Sequence, residues 1–212
     1  MISGEKIRLD VHNILYEIYK SNKTLKDPNI IKIINNNSKE DISFINNVTL
    51  NSMRYFFHTS KIIHRYSKKK IRDHEKILLT SAITQIVFLD FKEYAVINCS
   101  VEIAKKLKIY HGFINALLKN IKRNKIKLKK TIIKFQDLPL WFNKKTKLLT
   151  NLEKKVFLDN FYTEPSLHIV FKNKEKLSGF EYNLYKTSEL SGFVDSKIEF
   201  NNLESFKKGY WW

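Results

Sequence analysis

Few residues in this chain combine the type and the spacing that covalent chemistry requires. There is one cysteine, Cys99, and the six histidines stand apart at positions 12, 58, 64, 74, 111 and 168. His58 and His64 are not at metal-ligand spacing, and no HExxH run or paired-carboxylate constellation exists. No GxGxxG or P-loop occurs, and only Gly4 and Gly112 precede residue 170. What remains is charge. From Ile103 to Gln136 there are 11 basic residues and no acidic one. The centre of this run is HGFINALLKNIKRNKIKLKK, residues 111 to 130. Ile114, Leu117, Leu118 and Ile121 recur at helical spacing and predict a buried stripe. Asn115, Lys119, Lys122 and Arg123 then lie on a neighbouring face, followed by Lys125 and Lys127. Cations in this pattern suit the phosphates of a nucleic-acid backbone. A merely solvated lysine face is the plain alternative, but solvated helices ordinarily intersperse signs.

The elements that must position this stripe are helical. Ser3 can cap a helix carrying Ile7, Val11, Ile14, Leu15 and Ile18. Asp27-Pro28 reads as cap and first position of a short helix through IIKII. Ser38 with Asp41 resembles a capping box and opens a long stretch through Ile42, Ile45, Val48, Met53, Phe56 and Phe57. KIIHRY (61–66) continues that helix or forms the next. RDHEKILLTSAITQIVFLDF (72–91) is mostly apolar and predicts the central, most buried helix. VINCSVEIAKKLK (96–108) is amphipathic, and Gly112 separates it from the basic stretch. Residues 1–130 thus predict an all-α bundle of six or seven helices.

The whole-chain composition supports a folded protein with an anionic partner. The 212 residues are 43% hydrophobic and 13% aromatic, and the net charge is +18. Only 5 of the 39 basic residues are Arg. Lysine is a hydrated point charge, fit for phosphate and poor at bidentate base reading. One cysteine excludes an intrachain disulfide and a Cys-rich zinc site. The N-terminus has no apolar signal core and no apolar run spans a bilayer, so a cytoplasmic protein is expected. Membrane binding by the lysine face is disfavoured, because no Trp/Phe/Leu wedge lies opposite it. Aromatics near cations (Tyr110, Trp141, Phe142, Tyr210, Trp211, Trp212) could stack on bases, though core packing is the commoner fate of such residues.

YAVINCSVEIAKKLK followed by GFINALLKNIKR resembles the last two helices of NusB-like RNA-binding domains. The matching residues are Ala95, Val96, Asn98, Val101, Glu102, Ala104, Lys105, Gly112, Phe113, Asn115, Ala116, Leu118 and Ile121. Lys119 stands where that family usually has Arg. LLTSAITQIVFLD is similar to a family helix in which Gln85 is kept, while Thr80 and Ala82 replace an Arg and a Gly. NNVTLNSMRYF retains Arg54. Downstream, LPLWFNKKTKLL (138–149), EPSLHIVFKNK (164–174) and LESFKKGYWW (203–212) resemble segments of bacterial 16S rRNA cytosine-5 methyltransferases of the Sun/Fmu type, just ahead of their catalytic domain.

This resemblance implies a mainly α fold. A NusB-like domain over 1–130 is expected to be followed by a helical linker over 131–164 and a small α+β pre-catalytic subdomain over 165–212. It implies RNA binding, with rRNA as partner, by Asn115, Lys119, Lys122, Arg123, Lys125, Lys127 and Arg54. Asn115 is expected to support the loop at Gly112 or to touch RNA. The cofactor of the full-length family is S-adenosylmethionine. Its Gly-rich turn, acidic residues and catalytic thiols are not in this stretch, so no catalytic, cofactor or metal residue is expected here, and the chain alone is expected to be inactive. The expectation is a truncated or split enzyme whose catalytic domain or protein partner lies elsewhere. A stand-alone NusB-like factor in transcription antitermination or ribosome biogenesis, acting through protein partners, is the alternative. Trp211 and Trp212 are expected to be exposed.

Overall fold

The computed structural model describes residues 3–67, 70–163, 165–194, 198 and 200–212. The protein is mainly helical, with a small three-stranded sheet near its C-terminal end. It divides into two compact units, residues 1–162 and residues 163–212.

In the first unit, α1 (Ser3–Lys20) presents Ile7, Val11, Ile14 and Leu15 inward, all buried. The Ser3 side chain lies outside the described residues. Asp27 caps α2 (Pro28–Asn35) by accepting the Asn29 N–H at 3.0 Å, with proline at the first position. Ser38 caps α3 (Lys39–Arg54) by accepting the Asp41 N–H at 3.2 Å. Both caps satisfy donors that a helix start leaves orphaned. The long stretch expected to run through Phe57 breaks at Tyr55, and KIIHRY ends a separate helix α4 (Phe56–Tyr66).

The central helix is α5 (Asp73–Ile83), buried on nearly all sides. It runs into a π-helical turn, Thr84–Phe88, closed by Leu89 N–H donating to Thr84 O at 3.0 Å. Thr84 Oγ1 also donates back to Thr80 O at 2.9 Å. Asp90 ends the segment at φ 53°. Then come α6 (Glu93–Lys106), α7 (His111–Arg123) and α8 (Lys125–Lys129). Eight α-helices therefore lie between residues 3 and 130 among the described residues, not six or seven. One core joins α4 to α8 through Ile62, Ile83, Ile103, Ile114 and Leu118; another joins α1, α2, α3 and α5 through Leu15, Ile30, Ile45 and Ile77. Two short helices follow, α9 (Leu140–Lys145) and α10 (Asn151–Phe161).

In the second unit, β1 (Leu167–Val170), β2 (Tyr185–Lys186) and β3 (Ser191–Val194) form an antiparallel sheet in the order β1-β3-β2, with Leu167 opposite Val194. Helices α11 (Lys174–Ser178) and α12 (Glu204–Lys207) flank it. Gly209 turns the chain at φ 64°, so that Trp212 and Val170 exchange backbone hydrogen bonds of 2.9 and 3.0 Å. Trp211 packs with Ile169, Phe171 and Val194, and its Nε1–H donates to Ser205 Oγ at 3.0 Å. The expectation of two exposed tryptophans therefore fails for Trp211, which has its own core here, and holds for Trp212, which is 64% exposed.

Candidate nucleic-acid interface

The basic stretch is held by α6, α7 and the π-helical turn. The break between α6 and α7 falls at Lys108 (φ 53°) rather than at Gly112. Gly112 is instead the second residue of α7, where a Cβ would meet the Tyr110 ring at 3.3 Å. From there Ile114, Leu117, Leu118 and Ile121 turn into the core and are all buried. Lys119, Lys122 and Arg123 are consequently exposed, and Asn115 is half-buried. Asn115 makes no side-chain hydrogen bond among the described residues, so the structure gives it no role in bracing the Gly112 turn.

α7 ends at Asn124 and the chain re-enters a helix at once. In α8 only Leu128 is buried, and this helix packs against the π-helical turn. Anchored there, α8 leaves Lys127 and Lys130 exposed beside the last turn of α7. A shallow depression of about 590 Å³ results, lined by Lys122, Arg123, Lys125, Ile126, Lys127 and Lys130.

The acid-free run is not acid-free in space. Lys125 Nζ lies 3.0 Å from both Asp90 Oδ1 and Glu93 Oε1, and Lys129 Nζ lies 2.8 Å from Asp90 Oδ2. Lys129, then Lys125, hold the Asp90 carboxyl below the usual carboxylate range. Lys125 does the same to Glu93, and the bond to Glu93 leads in raising Lys125 above the ordinary lysine range. Sequence reading missed this because Asp90 comes from the loop after the π-helical turn and Glu93 from the first residue of α6, about one helix-pair away along the chain. Lys119, Lys122, Arg123 and Lys127 have no ion pair among the described residues. Arg54 stands apart: it is half-buried at the end of α3, donates to Asn51 Oδ1 at 2.8 Å, and α3 has no substantial packing on α7.

The structure adds a group that sequence reading did not assemble. A second depression of about 480 Å³ lies at the start of α7, lined by Tyr66, Lys70, Arg72, Glu75, Tyr110 and Phe113. Glu75 is buried, accepts the Arg72 N–H at 2.9 Å, and stands 3.4 Å from the Arg72 guanidinium. Tyr110 is 68% exposed. Two tyrosine rings beside cations can stack a base and hold its phosphate. Tyr110 and Phe113 carried a signal in the sequence; Tyr66, Lys70, Arg72 and Glu75 come from the end of α4, the α4–α5 connection and the start of α5.

The Gln85 retained in the family resemblance has a structural task. Its Oε1 accepts Arg8 Nε–H at 2.7 Å and its Nε2 donates to Ser81, so it ties α1 to α5. Among the described residues, no group of His, Cys, Asp and Glu could hold a metal ion, and no helix is long and apolar enough to cross a membrane.

Comparison with known proteins agrees with this layout. No curated protein matches the chain. Among solved structures, the whole chain is similar to PH0851, at 12% identity and a TM-score of 0.50. The chain spans about half of that protein, 53% of its length. At this identity the likeness concerns the fold. Residues 5–123, which include α1 to α7, match the NusB family. The match covers more than half of the sequence, and the chain belongs to the NusB family.

Proposed function

We propose that this chain binds RNA, with the phosphate backbone on the outer face of α7 and α8. The observation that carries this reading is the set Lys119, Lys122, Arg123 and Lys127, exposed together and in no ion pair among the described residues, with Lys122 feeling Glu93 only through space. Asn115, on the same helix, is free to contact a nucleotide. Lys125 contributes positive potential but is largely neutralised by Asp90 and Glu93. The aromatic depression around Tyr66 and Tyr110 would take a base, and Arg54 would be an outlying contact. The finer part of the proposal is the target: rRNA, recognised on behalf of a cytosine-5 methyltransferase whose S-adenosylmethionine chemistry lies outside these residues. Its support is the resemblance of residues 138–149 and 203–212 to segments of Sun/Fmu-type enzymes.

Salt dependence tests the phosphate reading. With about four phosphates engaged, log affinity for single-stranded RNA should fall against log salt with a slope near about −3. Lys119→Glu/Lys122→Glu/Arg123→Glu should weaken binding to every RNA sequence and flatten the slope, since phosphate contacts position rather than specify. Circular dichroism should show the helices retained, because Ile114, Leu117, Leu118 and Ile121 are untouched. Equal affinity and slope for parent and variant would show a solvated face, and would favour a NusB-like factor acting through protein partners.

A further inference from the structure

Beyond the residues matched to the NusB family, the first unit carries an apolar groove that its own side chains leave open. The groove lies between the 131–138 segment, α9 and α10, with a volume of about 850 Å³. Its floor is aliphatic: Ile132 is 77% exposed and Leu140 70% exposed, with Leu158 beside them. Its rim is mainly basic: Lys134, Lys147, Lys154 and Lys155 share the lining with one carboxylate, Asp159. Two further acids close by are already engaged. Asp137 is bonded to Lys61 at 2.6 Å, and Glu153 closes the capping box of α10 with Thr150. No rim lysine has an ion pair among the described residues; Lys154 rests over the Phe135 ring at 5.5 Å.

We propose that this groove docks an acidic amphipathic helix of a protein partner. A concave aliphatic floor matches a stripe of leucine-like side chains at helical spacing, which is how helices lie in grooves. The rim supplies the complementary charge, steering acidic partners and rejecting basic ones. RNA fits less well, because bases stack on rings and Phe135 is the one ring in the floor, already covered by Lys154. Trp141, 67% exposed on α9, is an anchor of the kind that dominates binding energy at protein interfaces. This surface is separate from the α7–α8 cations, so its failure would leave the RNA reading untouched.

The probe is a displayed library of helical peptides, with leucines fixed along one stripe and flanking positions randomised among Glu, Gln, Ala and Lys. Selection on the full chain should enrich Glu at the flanks. The enrichment should persist on Lys119→Glu/Lys122→Glu/Arg123→Glu and vanish on Lys147→Glu/Lys154→Glu/Lys155→Glu. Affinity of a selected peptide should drop on the order of tenfold for Leu140→Asp, as for loss of one buried anchor. Apart from half-buried Lys154, which rests over Phe135, these substitutions are at exposed positions, so circular dichroism should show the fold retained, and Lys147→Glu/Lys155→Glu repeats the rim test without touching Lys154. No enrichment, enrichment of Lys, or equal loss on the α7 variant would overturn the proposal. So would a finding that Leu140→Asp and the rim variant abolish binding to phosphatidylglycerol vesicles or RNA while peptide binding stays the same.

Discussion

His12 is fully buried on α1, with Nε2 3.1 Å from His74 Nδ1 on α5 and its own Nδ1 unpartnered. Burial, aided by His74, pushes its pKa down to about 4. His58, buried against Tyr55, Phe88 and Tyr162, is likewise pushed down to about 4, by burial first and then by Lys61. An unfolded histidine takes up its proton near pH 6.5, before either folded one does. Stability should therefore be level above about pH 6.5 and fall as pH drops towards about 4, by on the order of 3 kcal/mol for His12. Urea unfolding at a series of pH values tests this, and His12→Leu should flatten the acid slope. Cys99 is half-buried on α6 beside the Arg8 guanidinium, where its sulfur partly offsets the lowering of the Arg8 pKa by burial. Serine is close in size, and Arg8 keeps its bonds to Gln85 and Gly4, so Cys99→Ser should change stability by about 1 kcal/mol or less, read from the same denaturation curves. A large loss of RNA binding on Cys99→Ser would give the thiol a role that its position does not suggest.

At the scale of elements, Lys125 and Lys122 separate two jobs within one basic run. Lys125 ties α8 to Asp90 and to Glu93 at the start of α6, whereas Lys122 makes no ion pair among the described residues. Lys125→Ala should cost up to about 1 kcal/mol of stability, as for a part-exposed ion pair, and little RNA affinity. Lys122→Ala should do the reverse. Thermal melts and RNA titrations of both variants check the division. In the small sheet, a Cβ on Gly192 would meet Leu184 Cγ at 2.6 Å and Tyr185 O at 2.7 Å. Gly192→Ala should therefore loosen the β2–β3 pairing at a cost of about 1–3 kcal/mol, with amide exchange rising in 185–194 and unchanged in α5. The buried stripe of α7 and the caps at Asp27 and Ser38 were legible in the sequence, because periodicity and capping are local. The break at Tyr55, the π-helical turn and the Asp90–Lys125 pairing were not, because each depends on what a distant helix presents. Gly112 misled for a related reason: it makes room for the Tyr110 ring inside a helix instead of ending one.

At the scale of the molecule, the described sheet is antiparallel and three-stranded. It has no parallel strand followed by a Gly-rich turn and a helix, the unit that seats the nucleotide moiety of a cofactor. Together with the lack of GxGxxG in the sequence, this predicts no saturable calorimetric binding of S-adenosylmethionine in the micromolar range. Clear saturation there would require a cofactor site built some other way.

The π-helical turn at Thr84–Phe88 marks the place where this segment tolerates a change of chain length. It accommodates one more residue than an α-helix of the same rise would hold. Deleting a single residue from it would let the segment continue as regular α-helix with little change in rise or phase, so Asp90 should keep its pairs with Lys125 and Lys129. The same deletion within Asp73–Ile83 would turn everything beyond by about 100°. A one-codon deletion should thus spare the basic face at the turn and disrupt it a few residues earlier, a contrast that substitution scanning of α7 and α8 could never uncover.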